Sequence, residues 1–358
     1  VTVALFAAEQ SGDQLGAGIL PYLQKPTFGM GGPNLQKAGM ELLYPTTDVM
    51  GVTDVLLALP CLLQRFYRIK KDILTRQPSA VITIDAPDFF LPLHRALRKA
   101  GYRGKLIHLV SPSVWAWRPG RIHTMAQTLD LLITLLPFEA AYYAKTPLPV
   151  SYVGHPLAYH ILHQSPSPLP CQDLRPILAL FPGSRSAEIK RNLQLQLEAA
   201  QGFPHHQHIL CLAREDLRPL VPSSLHTVMA DQRYALMQAA DCAFATSGTV
   251  CLELALHGVP TAVTYTLSSL NYFLGRYVFR IHMPHFTLPN LILGCEMLPE
   301  HFDTQPQPQE IATTLQRVLQ KPDLYQALTT KLRSHFDIPC DPYQKSAEAI
   351  LHLLNKAS

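Results

Sequence analysis

Charge is scarce in this chain: only 16% of its 358 residues are Asp, Glu, Lys or Arg, against about 25% in an ordinary globular domain. The formal charge of +4 and pI near 8.6 are mildly basic. That balance suits an acidic membrane surface or a phosphorylated substrate. No basic cluster with interleaved aromatics is present, so no nucleic-acid partner is expected. There is no apolar run of about 18 residues, which excludes a transmembrane helix. The nearest approach, residues 49–63, is broken by Asp54 and Pro60. A G-x-G-x-x-G fingerprint is missing, so a standard dinucleotide site has no support. Seven cysteines without a C-x-x-C pair read as reduced core residues of a cytosolic protein. The 16 histidines show no H-E-x-x-H or comparable spacing, so no metal is expected, and His205-His206-Gln207-His208 reads as a solvated loop. No signal-peptide pattern opens the chain. Val1 lies already inside a strand pattern and no Met precedes it, as in a segment excised from a longer polypeptide.

What is present is alternation. Apolar strands at residues 1–7, 80–84, 105–110, 131–135 and 150–153 are separated by helical stretches such as 91–99 and 138–145. A second series follows at 177–181, 209–212, 227–229, 242–245 and 260–264, with helices over 309–319, 322–333 and 346–354. Strands separated by helices imply parallel sheets with right-handed crossovers. The proline-rich stretch from His163 to Cys171 reads as a linker. Two Rossmann-like domains are therefore expected, 1–165 joined by a closing helix in 335–358, and 172–334. Ligands of such sheets sit at the strands' carboxyl ends, here in a cleft between the domains.

Two strand-to-helix turns carry an anion-binding signal. Phe181-Pro182-Gly183-Ser184-Arg185 and Thr246-Ser247-Gly248-Thr249 each aim backbone N–H groups and a helix N-terminus at one place. Arg185 adds a bidentate donor. Together with Glu253 downstream they suggest a nucleoside diphosphate whose ribose is held by Glu253. Ordinary turn chemistry accounts for either turn alone.

In the first half, Glu9-Gln10-Ser11-Gly12-Asp13 closes the first strand, with Ser11 or Asp13 as helix cap and Glu9 facing the cleft. Asp85 and Asp88 end a buried strand beside Phe89 and Phe90, where apolar neighbours raise a carboxyl's pKa and favour a general base. Asp88 is the functional candidate. The alternative is that either acid caps a helix starting near Pro92. Both tryptophans, Trp115 and Trp117, adjoin Arg118 and Arg121, which suits a phosphosugar at an apolar boundary or a packed loop. Val55, Leu56, Leu59, Leu62 and Leu63 precede Arg65, Arg68, Lys70 and Lys71, an amphipathic stretch suited to a bilayer interface or acyl chains, or to a core helix with a basic end.

Taken together, these segments resemble the bacterial lipid-A-disaccharide synthase family, inverting glycosyltransferases of GT-B architecture. The matching pieces are the Glu9–Asp13, Ile84–Phe89 and Val110–Arg118 segments, Leu136-Pro137-Phe138-Glu139, Val153-Gly154-His155, Pro182–Arg185, Ser247–Thr249 with Glu253, and Leu288-Pro289-Asn290-Leu291. They follow the family's order over residues 1 to about 296. The resemblance implies transfer from UDP-2,3-diacylglucosamine to 2,3-diacylglucosamine 1-phosphate, giving a β-1,6-linked disaccharide phosphate and UDP. It implies Asp88 as base, with Glu9 next in line. Arg185, Gly183, Ser184, Ser247, Gly248 and Thr249 would serve the diphosphate, and Glu253 the ribose. Asn290 would orient sugar or phosphate groups. Ser11, Gly12, Trp117, Arg118 and His155 would line the substrate. No cofactor and no metal are implied, in keeping with the absence of an Asp-x-Asp motif. Lipid substrates give residues 55–63 a membrane contact and a cytoplasmic, peripheral inner-membrane location. A homodimer through the closing helices stays open. UDP-N-acetylglucosamine 2-epimerases share the expected architecture and are the rival, with no use for a lipid contact.

Overall fold

A computed structural model describes residues 2–46, 52–165, 168–169, 174–266 and 284–356, with the backbone alone over 52–60. The chain divides into two compact units, residues 1–156 with 338–358, and 157–337.

Unit 1 is built on seven strands: β1 (Val3–Ala7), β2 (Thr27–Gly31), β3 (Glu41–Pro45), β4 (Ala80–Ile84), β5 (Lys105–Leu109), β6 (Leu131–Thr134) and β7 (Val150–Tyr152). They pair in the order β3-β2-β1-β4-β5-β6-β7, every pair parallel. β1 and β4 are buried at every position, as in sheets covered on both faces. Helices α1 (Gln10–Leu23), α2 (Pro33–Lys37), α3 (Val52–Arg76), α4 (Pro87–Lys99) and α5 (Arg121–Thr128) supply the crossovers. Gly16 lets α1 lie close to the sheet, since a Cβ there would stand 3.0 to 3.2 Å from Ile84, Leu35 and Leu5. Strand order reverses between β1 and β4, so the loops after them flank the switch point where such sheets bind ligands.

Unit 2 holds β8 (Ile177–Phe181), β9 (Gln207–Leu212), β10 (His226–Met229), β11 (Cys242–Thr246), β12 (Thr261–Thr266) and β13 (Glu300–Asp303). Their order is β10-β9-β8-β11-β12-β13, again wholly parallel. The switch point lies between β8 and β11. Its helices are α6 (Pro156–His163), α7 (Ser186–Ala200), α8 (Arg233–Ala239), α9 (Thr249–His257), α10 (Leu288–Leu293), α11 (Pro308–Leu319) and α12 (Pro322–Ser334). Ala158 and Ile161 of α6 join the apolar core of this unit, so the chain crosses between units at residue 156, ahead of the proline-rich stretch. The last helix, α13 (Pro342–Asn355), returns to unit 1. There Ile350 and Leu354 pack into the same core as Ile19 and Leu23 of α1, and Tyr22 Oη donates to Asp341 Oδ2 at 3.3 Å.

Five elements depart from the sequence-based expectation. Strands β2, β3 and β13 were not foreseen: TFGMG carries two glycines, and the ELLYP and EHFD stretches lack a continuous apolar run. Helix α4 begins at Pro87 and carries Pro92 inside it. The stretch over 138–145 forms only a short 3-10 turn, Glu139–Tyr143.

Candidate active site

The residues that close β1, β4, β5, β6 and β7 gather along the carboxyl edge of the unit 1 sheet. Glu9 and Ser11 are exposed at the start of α1, with Glu9 at its N-cap position. Ser11 makes no cap, and Asp13 caps a different helix. Its buried carboxylate accepts from the N–H groups of Gly32 at 2.6 Å, Asn34 at 3.0 Å and Leu35 at 3.1 Å, tying α1 to the first turn of α2. Gly12, expected against substrate, is buried instead. A Cβ there would lie 3.3 Å from Ala7 and 3.4 Å from Ile84, so the glycine lets the helix pack close to the sheet.

Asp88 sits in the first turn of α4 with its side chain 64% exposed. Oδ1 accepts from Arg118 Nη1 at 2.8 Å and from Arg121 Nη2. Both guanidinium groups also stand over the Trp117 ring, 4.2 and 5.1 Å from its centroid. Among the described residues no donor reaches Oδ2. The apolar surroundings expected for Asp88 are absent, because Phe90 turns into the core and leaves the acid in solvent. Burial instead raises the pKa of Asp85, offset in part by the Ala86 N–H.

The backbone here is strained. Asp85 (φ 54°), Ala86 (φ 43°), Val110 (φ 75°) and Arg118 (φ 51°) occupy the left-handed region, and for β-branched Val110 that is a genuine outlier. Such residues cost about 1–3 kcal/mol each and cluster where function holds them. All four follow β4 or β5, beside Asp88.

Glu139 closes the Leu136-Pro137-Phe138-Glu139 motif after β6. It is 4% exposed, and burial pushes its pKa up to about 7. The Leu136 N–H, 3.1 Å from Oε2, works against that rise. His155, half-buried at the end of β7, is held down to about 4 by burial.

In unit 2 the two anion-binding turns differ. At Gly183 (φ 120°) a Cβ would meet Glu188 Cβ at 2.6 Å, so glycine is required there. Glu188 Oε2 already accepts from the N–H groups of Ser184 at 2.9 Å and Arg185 at 3.2 Å. Arg185 Nη1 lies 3.3 Å from Glu188 Oε1. The sequence signal for an anion seat is real, and an internal carboxylate fills it.

The Ser247-Gly248-Thr249 turn is open. Gly248 and Thr249 are exposed, no side chain caps α9, and a Cβ on Gly248 would meet nothing within 4 Å. The Thr246 Oγ1 behind it is buried without a partner among the described residues. One turn into α9, Glu253 is 5% exposed and accepts from Arg233 Nε at 3.2 Å.

Asn290 has its side-chain amide fully engaged within the protein. It is fully buried; Nδ2 donates to Leu298 O at 2.7 Å and Glu300 Oε1 at 3.0 Å, while Oδ1 accepts from the Met297 and Leu298 N–H groups at 2.8 and 2.9 Å. All four of its hydrogen-bonding positions hold the segment between α10 and β13.

On α3, Leu62 is half-buried and Leu63 is 50% exposed. Tyr67, one turn on, is 65% exposed. The side chains of Val55, Leu56 and Leu59 lie outside the described residues. Among the described residues no helix is long and apolar enough to cross a membrane, and no group of three His, Cys, Asp or Glu gathers as metal ligands.

Two wholly parallel sheet units, each with a switch point in its strand order, are the architecture of the GT-B fold class. Solved structures agree on that fold. A glycotransferase of kitacinnamycin matches with TM-score 0.63 at 12% identity, covering 99% of both chains. The UDP-GlcNAc 2-epimerase of Neisseria meningitidis matches with TM-score 0.62 at 12% identity, covering 99% of this chain and all of the other. Sequence then separates the candidates within the class. The lipid-A-disaccharide synthetase family model matches residues 3–348, and the chain belongs to that family. A lipid-A-disaccharide synthase from Chlamydia muridarum is 40% identical over 82% of this chain and 52% of its own length. One from Alcanivorax borkumensis is 35% identical over 98% of this chain and 97% of its own. The chain thus spans about half the length of its chlamydial relatives.

Proposed function

We propose that the chain joins UDP-2,3-diacylglucosamine to 2,3-diacylglucosamine 1-phosphate, releasing UDP and a β-1,6-linked disaccharide 1-phosphate. One observation supports this above the rest: within a lipid-A-disaccharide synthetase chain, Asp88 stands solvent-exposed at a switch point with Oδ2 open and Oδ1 fixed by two arginines. In this reading the acceptor's 6-hydroxyl gives its proton to Asp88 Oδ2. The hydroxyl oxygen bonds to the donor's C1 with inversion as the C1–O bond to the diphosphate breaks, and UDP leaves with the electron pair. A positioned base of this kind contributes about 10²–10⁴-fold.

The N–H groups of Gly248 and Thr249, at the start of α9, stabilise the departing diphosphate, and Arg185 assists once it parts from Glu188. Glu253 accepts from the ribose hydroxyls. Trp117 and Arg118 offer an aromatic face and a cation to the phosphorylated acceptor, with Glu9, Ser11 and His155 on the same edge. The exposed Leu63 and Tyr67, followed by Arg68, Lys70 and Lys71, suit a lipid surface and continue the apolar stretch through Val55, Leu56, Leu59 and Leu62. The enzyme works from the cytoplasmic side as a peripheral protein.

The test is to incubate the chain with both acylated substrates in mixed micelles and to follow disaccharide and UDP by mass spectrometry. Both products are expected in equal amounts. A donor that comes back epimerised, with no disaccharide, would contradict the proposal and favour the epimerase chemistry of the structural neighbours.

A further inference from the structure

Glu253 has a partner that no motif of the family supplied. On α8, Arg233 donates from Nε to Glu253 Oε2 at 3.2 Å and from Nη2 to Tyr234 Oη at 2.7 Å. Its guanidinium carbon lies 4.3 Å above the Tyr234 ring. Tyr234 in turn stacks on His257, with ring centroids 5.6 Å apart, and His257 Nδ1 meets the Glu253 carbonyl at 2.9 Å. The arginine is thus gripped from below by an aromatic stack whose far end is fixed to the backbone of α9. Both partners of Glu253 and Arg233 are accounted for within unit 2, and neither pairing closes Glu253 Oε1.

We propose that Arg233 is the positioning residue of the nucleotide site: it turns the Glu253 carboxylate and keeps it anionic, so that Oε1 can accept a hydrogen bond from a ribose hydroxyl. The inference rests on the reading above in which Glu253 holds the ribose. A carboxyl this deeply buried is driven towards its neutral form by desolvation. Burial does raise the pKa of Glu253, and Arg233 is the group that opposes the rise, both by its charge and by its hydrogen bond. A protonated acid would offer an O–H where the ribose also offers O–H groups. A carboxylate offers only lone pairs. The arginine therefore sets the polarity of the contact without touching the ligand.

The thiols, phenol and imidazole facing this pair are shifted away from neutral pH. Burial raises Tyr234 and pushes the thiols of Cys211 on β9 and Cys251 on α9 up to about 12. His257 is lowered by burial and by Arg333 on α12, although its bond to the Glu253 carbonyl works the other way. Glu300 and Asp231 act on those thiols and not on Glu253. In the absence of Arg233, Glu253 is the group whose titration would appear.

The experiment is calorimetric titration with UDP of the native chain, Arg233→Gln, Arg233→Lys and Glu253→Gln, from about pH 6 to pH 9. At each pH the ratio of variant to native Kd cancels the titration of the ligand's own phosphate. For Arg233→Gln the ratio is expected to be about 10- to 100-fold at the acid end, the worth of a hydrogen bond to a charged group. It should shrink towards the alkaline end as Glu253 ionises unaided. Arg233→Lys keeps the charge and should keep a flat profile, and Glu253→Gln should be weak and flat. A ratio for Arg233→Gln that stays constant with pH would overturn the inference, since a direct contact or a general loss of structure has no such titration. No loss at all would overturn it too. A separate arm compares UDP with its 2′-deoxy and 3′-deoxy analogues on the native chain. If both analogues bind as tightly as UDP, the ribose reading itself fails, whatever Arg233 does.

Discussion

Two carboxylates engaged by arginine, Asp88 in unit 1 and Glu253 in unit 2, are opposites. Asp88 in unit 1 is mostly solvent-exposed, held at one oxygen by two guanidinium groups, and ringed by strained backbone. Glu253 in unit 2 is 5% exposed, held by one arginine, and set on a regular helix. A group that must take and release a proton in each cycle needs solvent and a free lone pair. A group that must only recognise a ligand gains from burial, because each interaction is stronger where water is excluded. On the proposed reading, a carboxylate–guanidinium pair would serve chemistry in one unit and recognition in the other. The contrast also separates stability from activity: unit 1 can lose its acid without loosening its core, and unit 2 cannot lose its buried polar groups so cheaply.

That contrast can be broken by substitution. The largest stability effect is expected at Asn290. Asn290→Ala strands the buried N–H groups of Met297 and Leu298, at about 3 kcal/mol in total, read as a lowered urea midpoint. Next comes Glu253→Gln, which leaves the partly exposed Arg233 without its counter-charge and should cost about 1–2 kcal/mol. Asp88→Asn, on the exposed site, should stay within about 0.5 kcal/mol of the native chain. If Asp88→Asn unfolded as readily as Asn290→Ala, the division between an exposed chemical site and a buried recognition site would be lost.

Unit 1 does carry buried polar groups, beneath its exposed edge. Thr83 Oγ1 lies 2.7 Å from His108 Nδ1 and 3.1 Å from His94 Nε2, all three fully buried. Burial lowers His94, with His108 and Arg98 adding to the effect, and pushes His108 down to about 3. The native state therefore refuses protons that the unfolded chain accepts below about pH 6.5. With the unfolded state binding more protons, stability rises with pH through this window and falls on acidification. The slope for each histidine approaches about 1.4 kcal/mol per pH unit. His108→Gln should flatten it in thermal melts between about pH 6.5 and pH 4.5. Glu139, raised to about 7, contributes with the opposite sign: its stabilisation is present in acid and is lost as pH rises through 7.

Much of the molecule is legible in its sequence, and the gaps have causes. The central strands announce themselves because strands buried on both faces must be apolar throughout. Strands β3 and β13 at the sheet edges carry no such demand, and Gly29 and Gly31 interrupt the pattern of β2. At the Pro-Gly-Ser-Arg turn the backbone N–H groups of Ser184 and Arg185 converge on one carboxylate, that of Glu188. That Glu188 would occupy it could have been inferred, since an acid at the third position of a helix commonly reaches back to the N-terminal N–H groups. Asn290 and Gly12 carry motif signals, and the fold shows both buried, one saturated with hydrogen bonds and the other close-packed against the sheet, which a motif alone does not reveal. Arg233 lies outside every motif, and only the fold brings it to Glu253.

The measurement that bears most directly on the division of labour pairs two readouts on one variant. For Asp88→Asn, the single-turnover rate of disaccharide formation and the Kd for UDP would be determined on the same preparation. The rate should fall by about 10²-fold or more while the Kd stays within about twofold of native. An unchanged rate, or a rate and a Kd that fall together, would contradict the assignment of the chemistry to Asp88 and of the nucleotide to unit 2.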